Sequence, residues 1–294
     1  MATAAQRPKL LAIVGPTASG KSGLAMKIAL QYGGEVICAD SRTVYKGMDI
    51  GTAKPSASDQ KAVRHWGLDL VEPGRRFTAA DFKRYADAAI ADIQNRGKLP
   101  ILVGGTGLYI DGVLFDFSFI PRPGLGIRSR LESLSTEELQ AEIRDRGYRM
   151  PVNSQNRRHL VRTIEREGET GSRKPNIPES VLLVGLIPPD EILRARILER
   201  AEEIFKSGVV KETKKLVKRY GRDNFQSTAG IVYKISLKLI EGEINQKAAI
   251  ELFKTADWQY ARRQKTWFKR NPYIKWFESA EKANNFIEKF WVNT

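Results

Sequence analysis

Residues 15–22 read Gly-Pro-Thr-Ala-Ser-Gly-Lys-Ser, a complete G-x-x-x-x-G-K-[ST] phosphate loop set between the apolar run Leu10 to Val14 and the helix-like segment Gly23 to Ala29. Such a loop constrains the fold because it works only where a strand delivers it to the start of a helix. Its glycines let the backbone curl so that successive N–H groups face one anion, and the helix adds its positive end. Gly15, Pro16, Thr17, Ala18, Ser19, Gly20, Lys21 and Ser22 are therefore the expected diphosphate- or nucleotide-binding residues. Lys21 would reach the terminal phosphates, and Ser22 would hold Mg²⁺, the expected cofactor. The loop alone leaves open whether the phosphate belongs to a nucleotide.

Further apolar runs at Glu35–Ala39, Leu68–Val71, Leu99–Val103 and Val181–Leu186 read as buried strands, and Tyr273 to Phe277 as an edge strand. Helical patterns lie between them, one opened by Thr78 with Asp81 three positions on. Alternation of this kind predicts an α/β fold: a P-loop-type parallel sheet flanked by helices, with ligands beyond the carboxyl ends of the strands. Breaker-rich stretches at 121–126 and 168–178 bracket a helical segment. The expected organisation is a first part of the core over 1–118, a smaller helical insertion domain over 119–178, and the remainder of the core over 179–294. Long helical regions are expected from Glu191 to Tyr220 and from Asn245 to Lys269.

With 41% hydrophobic residues in 294, the chain can bury a substantial core, and 49 basic against 34 acidic residues give a net charge of +15, which admits a polyanionic partner. The single cysteine, Cys38, excludes an intrachain disulfide and a cysteine-rich zinc site, and fits a reducing cytoplasm. No secretion signal or membrane span is visible, and nothing suggests an obligate dimer, so a cytoplasmic monomer is expected.

Asp40 closes the second strand, where a carboxylate beside a phosphate loop can take a proton from an incoming nucleophile or reach Mg²⁺; a turn or cap aspartate is the plainer alternative. Thr106 follows Gly104-Gly105 at the same edge, with a hydroxyl that can meet a phosphate oxygen or a base. Arg158, Arg162 and Arg166 fall at i, i+4 and i+8 of a helix, which suits a phosphodiester backbone as well as a solvated face. Arg262, Lys265 and Lys269 share one side of the segment 258–270, whose aromatic residues Tyr260, Trp267 and Phe268 can pack inward or stack on unpaired bases.

Together these segments resemble the tRNA dimethylallyltransferase family, also called tRNA isopentenyltransferases. The resemblance is carried by the phosphate loop, by Ala39-Asp40-Ser41-Arg42 with Val44 to Pro55 (VYKGMDIGTAKP), by Gly104-Gly105-Thr106-Gly107-Leu108-Tyr109, and by Arg262-Arg263-Gln264-Lys265-Thr266-Trp267-Phe268. It implies transfer of a dimethylallyl group from dimethylallyl diphosphate to N6 of adenosine 37, in the anticodon stem-loop of tRNA. It also implies that the loop holds the donor's diphosphate, that Lys21 and Mg²⁺ on Ser22 neutralise the leaving group, and that Asp40 is the base. By the same resemblance Asp40, Ser41, Arg42, Thr43, Thr106, Arg128, Arg158, Arg162, Arg262, Lys265 and Lys269 contact the tRNA. Thr43 stands where the family commonly has Gln, and the eukaryotic members' zinc-binding tail has no counterpart, which points to the bacterial type. A small-molecule or nucleoside kinase would use the same loop for ATP and Asp40 as base for a hydroxyl. A regulatory nucleotide-binding module is the third reading.

Overall fold

A computed structural model of the chain describes residues 8–120 and 126–292. The chain divides into two compact units, Met1–Leu114 with Ile177–Thr294, and Phe115–Asn176. Of the breaker-rich stretch at 121–126, residues 121–125 lie outside the described residues, as does most of the polar start of the chain.

The first unit begins with β1 (Leu10–Val14), α1 (Lys21–Tyr32), β2 (Gly34–Cys38), α2 (Ala57–Ala62), β3 (His65–Trp66), α3 (Ala79–Asn95), β4 (Leu99–Gly104) and α4 (Gly107–Leu114). Strands β1, β2 and β4 are buried along their whole length, as a central parallel strand covered on both faces must be. After the second unit the chain resumes with β5 (Val181–Leu186), which pairs with β1 from Leu10↔Val181 to Val14↔Gly185. The short β6 (Lys275–Phe277) pairs with β5 at the edge. All pairs are parallel, in the order β3-β2-β4-β1-β5-β6. The fold class is α/β, a parallel sheet flanked by helices.

Periodic apolar residues set the helices against this sheet. Leu24 and Ile28 of α1 and Ala283 and Ile287 of α13 (Ala280–Val292) share a core with Ile13, Val36, Ile101 and Val184. A second core joins Val44, Tyr45 and Met48 to α8 (Asp190–Lys206), α9 (Val209–Tyr220), α10 (Arg222–Thr228), α11 (Ile231–Ile240) and α12 (Gln246–Phe268) through Phe205, Leu216, Phe225, Tyr233 and Phe253. Thr78 and Asp81 form a reciprocal capping box at the start of α3.

Two expectations are corrected. Leu68–Val71 is not a strand: the third strand is His65–Trp66, and only an isolated bridge joins Val71 to Tyr45. Left-handed backbone at Gly67 (φ 83°) and Asp69 (φ 53°) breaks the run, while Trp66 is fixed by Nε1 donating to buried Glu35 at 2.9 Å. The helical region from Glu191 to Tyr220 is two helices, α8 and α9, because Ser207-Gly208, with Gly208 at φ 99°, turns the chain between them.

The second unit holds α5 (Gly126–Ser133), α6 (Thr136–Asp145) and α7 (Arg157–Glu165), packed around Leu131, Leu139, Ile143, Leu160, Val161 and Ile164. Its two ends are stitched together by Ser118 N–H to Ser172 O at 2.9 Å and Lys174 N–H to Phe115 O at 2.8 Å.

Candidate active site at the carboxyl edge of the sheet

The phosphate loop leaves the carboxyl end of β1 and enters α1 without a side-chain cap. Gly20 at the N-cap is left-handed (φ 91°), among the described residues no side chain caps the first-turn N–H groups, and no acidic residue lies in that turn. By contrast α2, α3 and α6 all open with capping boxes. A helix that starts with open N–H groups beside a lysine is an anion site by construction. Ala18 takes φ 60°, an uncommon left-handed geometry for a residue with a Cβ, and the buried Ser19 hydroxyl has no hydrogen-bond partner among the described residues.

Lys21 Nζ donates to Pro16 O at 2.9 Å. Burial lowers its pKa to about 8, opposed by the nearby Asp40 charge and reinforced by Arg200. Ser22, in the first turn of α1, is exposed and its hydroxyl makes no hydrogen bond among the described residues. Among the described residues no group of three His, Cys, Asp or Glu side chains is placed to hold a metal ion. A cation here would thus be held by the Ser22 hydroxyl together with phosphate oxygens and water, a donor set that suits hard Mg²⁺.

The ends of β2 and β4 are laced together beside this loop. Thr106 N–H donates to Ala39 O at 3.2 Å, and the Thr106 hydroxyl accepts from Ser41 N–H at 3.1 Å. Asp40 Oδ1 accepts from Arg42 N–H at 2.7 Å, and Arg42 Nη1 donates to Thr228 O at 2.7 Å. Burial, and then the Asp40 charge, push the Tyr260 phenol up to about 12, against a hydrogen bond with Thr106. Cys38 lies directly below, its thiol raised by burial to about 12. Thr43 is 6% exposed, with its hydroxyl turned back toward Asp40 O at 3.4 Å.

Helix α12 passes over both loops. Its buried stripe, Ala249, Phe253, Asp257, Ala261, Gln264 and Phe268, contains two polar members. Gln264 Oε1 accepts from Thr17 N–H at 2.8 Å and its Nε2 donates to Gly105 O at 2.9 Å. A Cβ on Gly105 would lie 2.1 Å from Gln264 Nε2, and one on Gly107 would lie 2.2 Å from the Trp267 ring, so a side chain at either position would displace Gln264 or Trp267. Asp257 Oδ2 accepts from Arg200 Nη1 at 2.6 Å, and burial raises its pKa against the pull of Arg200. One turn earlier on α8, Arg196 Nη1 reaches Ser19 O at 3.4 Å.

The edge therefore brings together Lys21, Asp40, Thr106, Tyr260, Arg196, Arg200, Asp257 and Gln264; the sequence reading did not single out Arg196, Arg200 or Asp257, and quoted Gln264 only within a motif. Their signal was the helical spacing: Arg196 and Arg200 are i, i+4, and Asp257 and Gln264 interrupt an otherwise apolar stripe at i, i+7.

The cationic residues divide differently. On α12 Arg262 is exposed, as is Lys269 at the helix's C-cap, Lys265 is ion-paired with Asp190, and Trp267 is 39% exposed with Nε1 donating to Asp111 Oδ2 at 2.7 Å. Arg262, Arg263, Trp267 and Arg270 line an open groove of about 630 Å³ with Gln259 and Thr266. In the second unit Arg158 and His159 are exposed on α7 and Arg162 is half-buried, while Arg166 is its C-cap residue. Arg128 Nε is bonded to Glu132 Oε1 at 2.6 Å, and its Nη1 approaches Glu165 Oε1 at 3.4 Å.

A family model described as IPP transferase matches residues 43–271. A tRNA dimethylallyltransferase of Geotalea daltonii is 37% identical over 306 aligned positions, covering 97% of this chain and 93% of the relative. One of Anoxybacillus flavithermus is 36% identical, covering 93% and 91%. Among solved structures, the tRNA isopentenylpyrophosphate transferase of Bacillus halodurans superposes with a TM-score of 0.71 at 33% identity, over 98% of each chain. A eukaryotic dimethylallyltransferase described as acting on tRNA gives 0.76 at 25% identity, over 95% of this chain and 79% of that one.

Proposed function

The chain belongs to the IPP transferase family, the tRNA dimethylallyltransferases, and on that premise we propose that it joins the dimethylallyl group of dimethylallyl diphosphate to N6 of adenosine 37 of tRNA, releasing diphosphate. It is a prenyltransferase enzyme, and the relatives' transfer activity does not favour the kinase reading of the loop. The observation that carries the assignment of parts is the uncapped start of α1 beside Asp40: an anion cradle and a carboxylate open on one sheet edge.

In this reading residues Gly15 to Ser22 grip the donor's diphosphate. Lys21, Arg196 and Arg200 then face negative charge that grows as the C1–O bond breaks, the largest electrostatic demand of the step. The adenine N6 attacks C1, and its proton passes to Asp40; because this amine is a weak nucleophile, positioning and base assistance both matter. Mg²⁺ held by Ser22 and the diphosphate oxygens would supply further neutralisation of the leaving group. The target base must leave the anticodon stack to reach the donor. Ser41, Arg42 and Thr106 bound the entrance beside Asp40. Arg262 on α12 and Lys269 at its C-cap, and Arg158 and Arg162 on α7, are the proposed contacts to the phosphodiester backbone. Lys265 and Arg128 would exchange their carboxylate partners for phosphates, and Thr43 would shape the base pocket through its methyl group. The same reading takes the enzyme as a cytoplasmic monomer.

The test is incubation of the pure protein with labelled dimethylallyl diphosphate and an anticodon stem-loop carrying A36-A37-A38. Label should enter the RNA at A37 with one diphosphate released per transfer, and ATP should stay intact. ATP hydrolysis without RNA, and no label transfer, would overturn the reading.

A further inference from the structure

Helix α9, VVKETKKLVKRY, carries a cationic stripe that the proposed site does not use. Lys211, Lys214, Lys215 and Lys218 are spaced i, i+3, i+4 and i+7, so they share one face, and all four are exposed. The opposite face, Val209, Thr213 and Leu216, is buried. The helix's one acid, Glu212, is turned away from the stripe: its oxygens accept from the N–H groups of Asp49 (3.1 Å), Ile50 (2.8 Å) and Gly51 (3.1 Å).

None of the four lysines forms an ion pair among the described residues, whereas Lys46, Lys83, Lys238, Lys254 and Lys282 all do. Like charges three and four residues apart destabilise a helix, so an uncompensated row of lysines is a cost that a bound polyanion would relieve. The chemistry of the row is that of point charges without planar groups, which suits phosphates rather than base edges. The stripe is also tied to the site, since Glu212 on the same helix bonds the segment that runs on from Asp40, and Leu216 shares a core with Val44, Tyr45 and Met48 of that segment. From Lys211 to Lys218 the axis advances about 10 Å, room for about three phosphates of one strand.

The structure assigns the lysine face of α9 to the phosphodiester backbone of the substrate tRNA, outside the nucleotides that enter the site. This rests on the tRNA reading above. It is tested by the triple variant Lys211→Gln, Lys214→Gln, Lys218→Gln against a control triple, Lys27→Gln, Lys61→Gln, Lys247→Gln, which removes the same charge from exposed positions on α1, α2 and α12. Binding of full-length tRNA is measured over a salt series. The α9 triple should flatten the slope of log K against log salt by about 2 to 3, roughly 0.9 per lost phosphate contact, and the control by less than one. Lysine-to-arginine changes at the same three α9 positions should keep the wild-type slope. The turnover number at saturating tRNA and the KM for dimethylallyl diphosphate should stay within twofold, which also shows that the variant is folded. Equal slopes for the two glutamine triples in an active enzyme overturn the α9 assignment alone. So does an unchanged tRNA slope with loss of binding to anionic phospholipid vesicles, which would make the face a membrane contact. A wild-type protein that transfers no prenyl group overturns the functional reading instead.

Discussion

Gln264 holds the Thr17 N–H of the phosphate loop with one end of its amide, at 2.8 Å, and Gly105 O of the neighbouring loop with the other, at 2.9 Å. It sits on α12 between Arg263 and Lys265, so the helix that presents cations outward also sets the shape of the anion cradle beneath it. Gln264→Leu keeps the volume and deletes both bonds, leaving the buried Gly105 carbonyl unpaired at a cost of about 1–3 kcal/mol and the half-buried Thr17 N–H unpaired at less. The expected result is a KM for dimethylallyl diphosphate raised about tenfold with tRNA affinity within twofold. Steady-state kinetics with each substrate varied separately checks this, and a larger effect on tRNA binding would show that the clasp does not act through the loop.

Asp40 is anchored by Arg42 N–H through one carboxylate oxygen, which leaves the second for a substrate proton. Asp40→Asn keeps the anchor and removes the base. The tRNA dissociation constant should hold within about threefold while the rate constant for transfer falls by at least about 100-fold, the usual contribution of a positioned base. Single-turnover measurement separates the two quantities. Turnover within tenfold of wild type removes Asp40 as the base.

Lys21 gives a pH signature with a definite sign. Burial lowers its pKa to about 8, with Asp40 opposing and Arg200 adding to the effect, so the ammonium of the free protein is lost as pH rises through that value. Because the unfolded chain holds this proton up to about 10, the free protein's stability gains from this group as pH rises between about 8 and 10. A bound diphosphate favours the ammonium and restores a higher pKa. Binding of the diphosphate should therefore take up a proton and weaken up to about tenfold per pH unit in that window, and take up none at this group at pH 6.5. Calorimetry at pH 9 in two buffers of different ionisation enthalpy measures the uptake. Lys21→Arg, which stays charged, should abolish it.

The parts of this site legible in the sequence are those where one residue type at one spacing has one use. The phosphate loop between strand and helix, Asp40 at the end of β2 and the glycines before Thr106 all land on the carboxyl edge because a parallel sheet sends every strand end there. Gly107 was legible only as a small residue; that it makes room for Trp267, 160 positions away, is a tertiary fact. Arg200 and Asp257 belong to two helices whose sequences read as ordinary amphipathic surfaces, and only their packing turns two solvated charges into a half-buried pair at 2.6 Å. The strand error at Leu68–Val71 has a local cause: apolar content marked the run, but left-handed Gly67 and Asp69 set its backbone.

Glu212 offers the sharpest test of how the segment after Asp40 is kept in place. Its carboxylate accepts three backbone N–H groups from Asp49 to Gly51 and the Tyr233 hydroxyl at 2.6 Å, a concentration of charge-assisted bonds worth more than neutral ones. Burial and the Glu212 charge push the Tyr233 phenol far above its ordinary value, so it remains a donor throughout the working pH range. Glu212→Gln puts an amide donor against N–H donors, and the loop should lose about 3 kcal/mol of stability, since several half-buried donors lose a charged partner at once. Tyr233→Phe removes one of the four bonds and should cost about 1 kcal/mol. Once Glu212 is replaced the phenol has little left to lose, so the double variant should resemble Glu212→Gln alone, with a coupling of about 1 kcal/mol in urea unfolding. Strict additivity of the two changes would mean that the hydroxyl and the carboxylate act independently, and that something other than Glu212 fixes the loop.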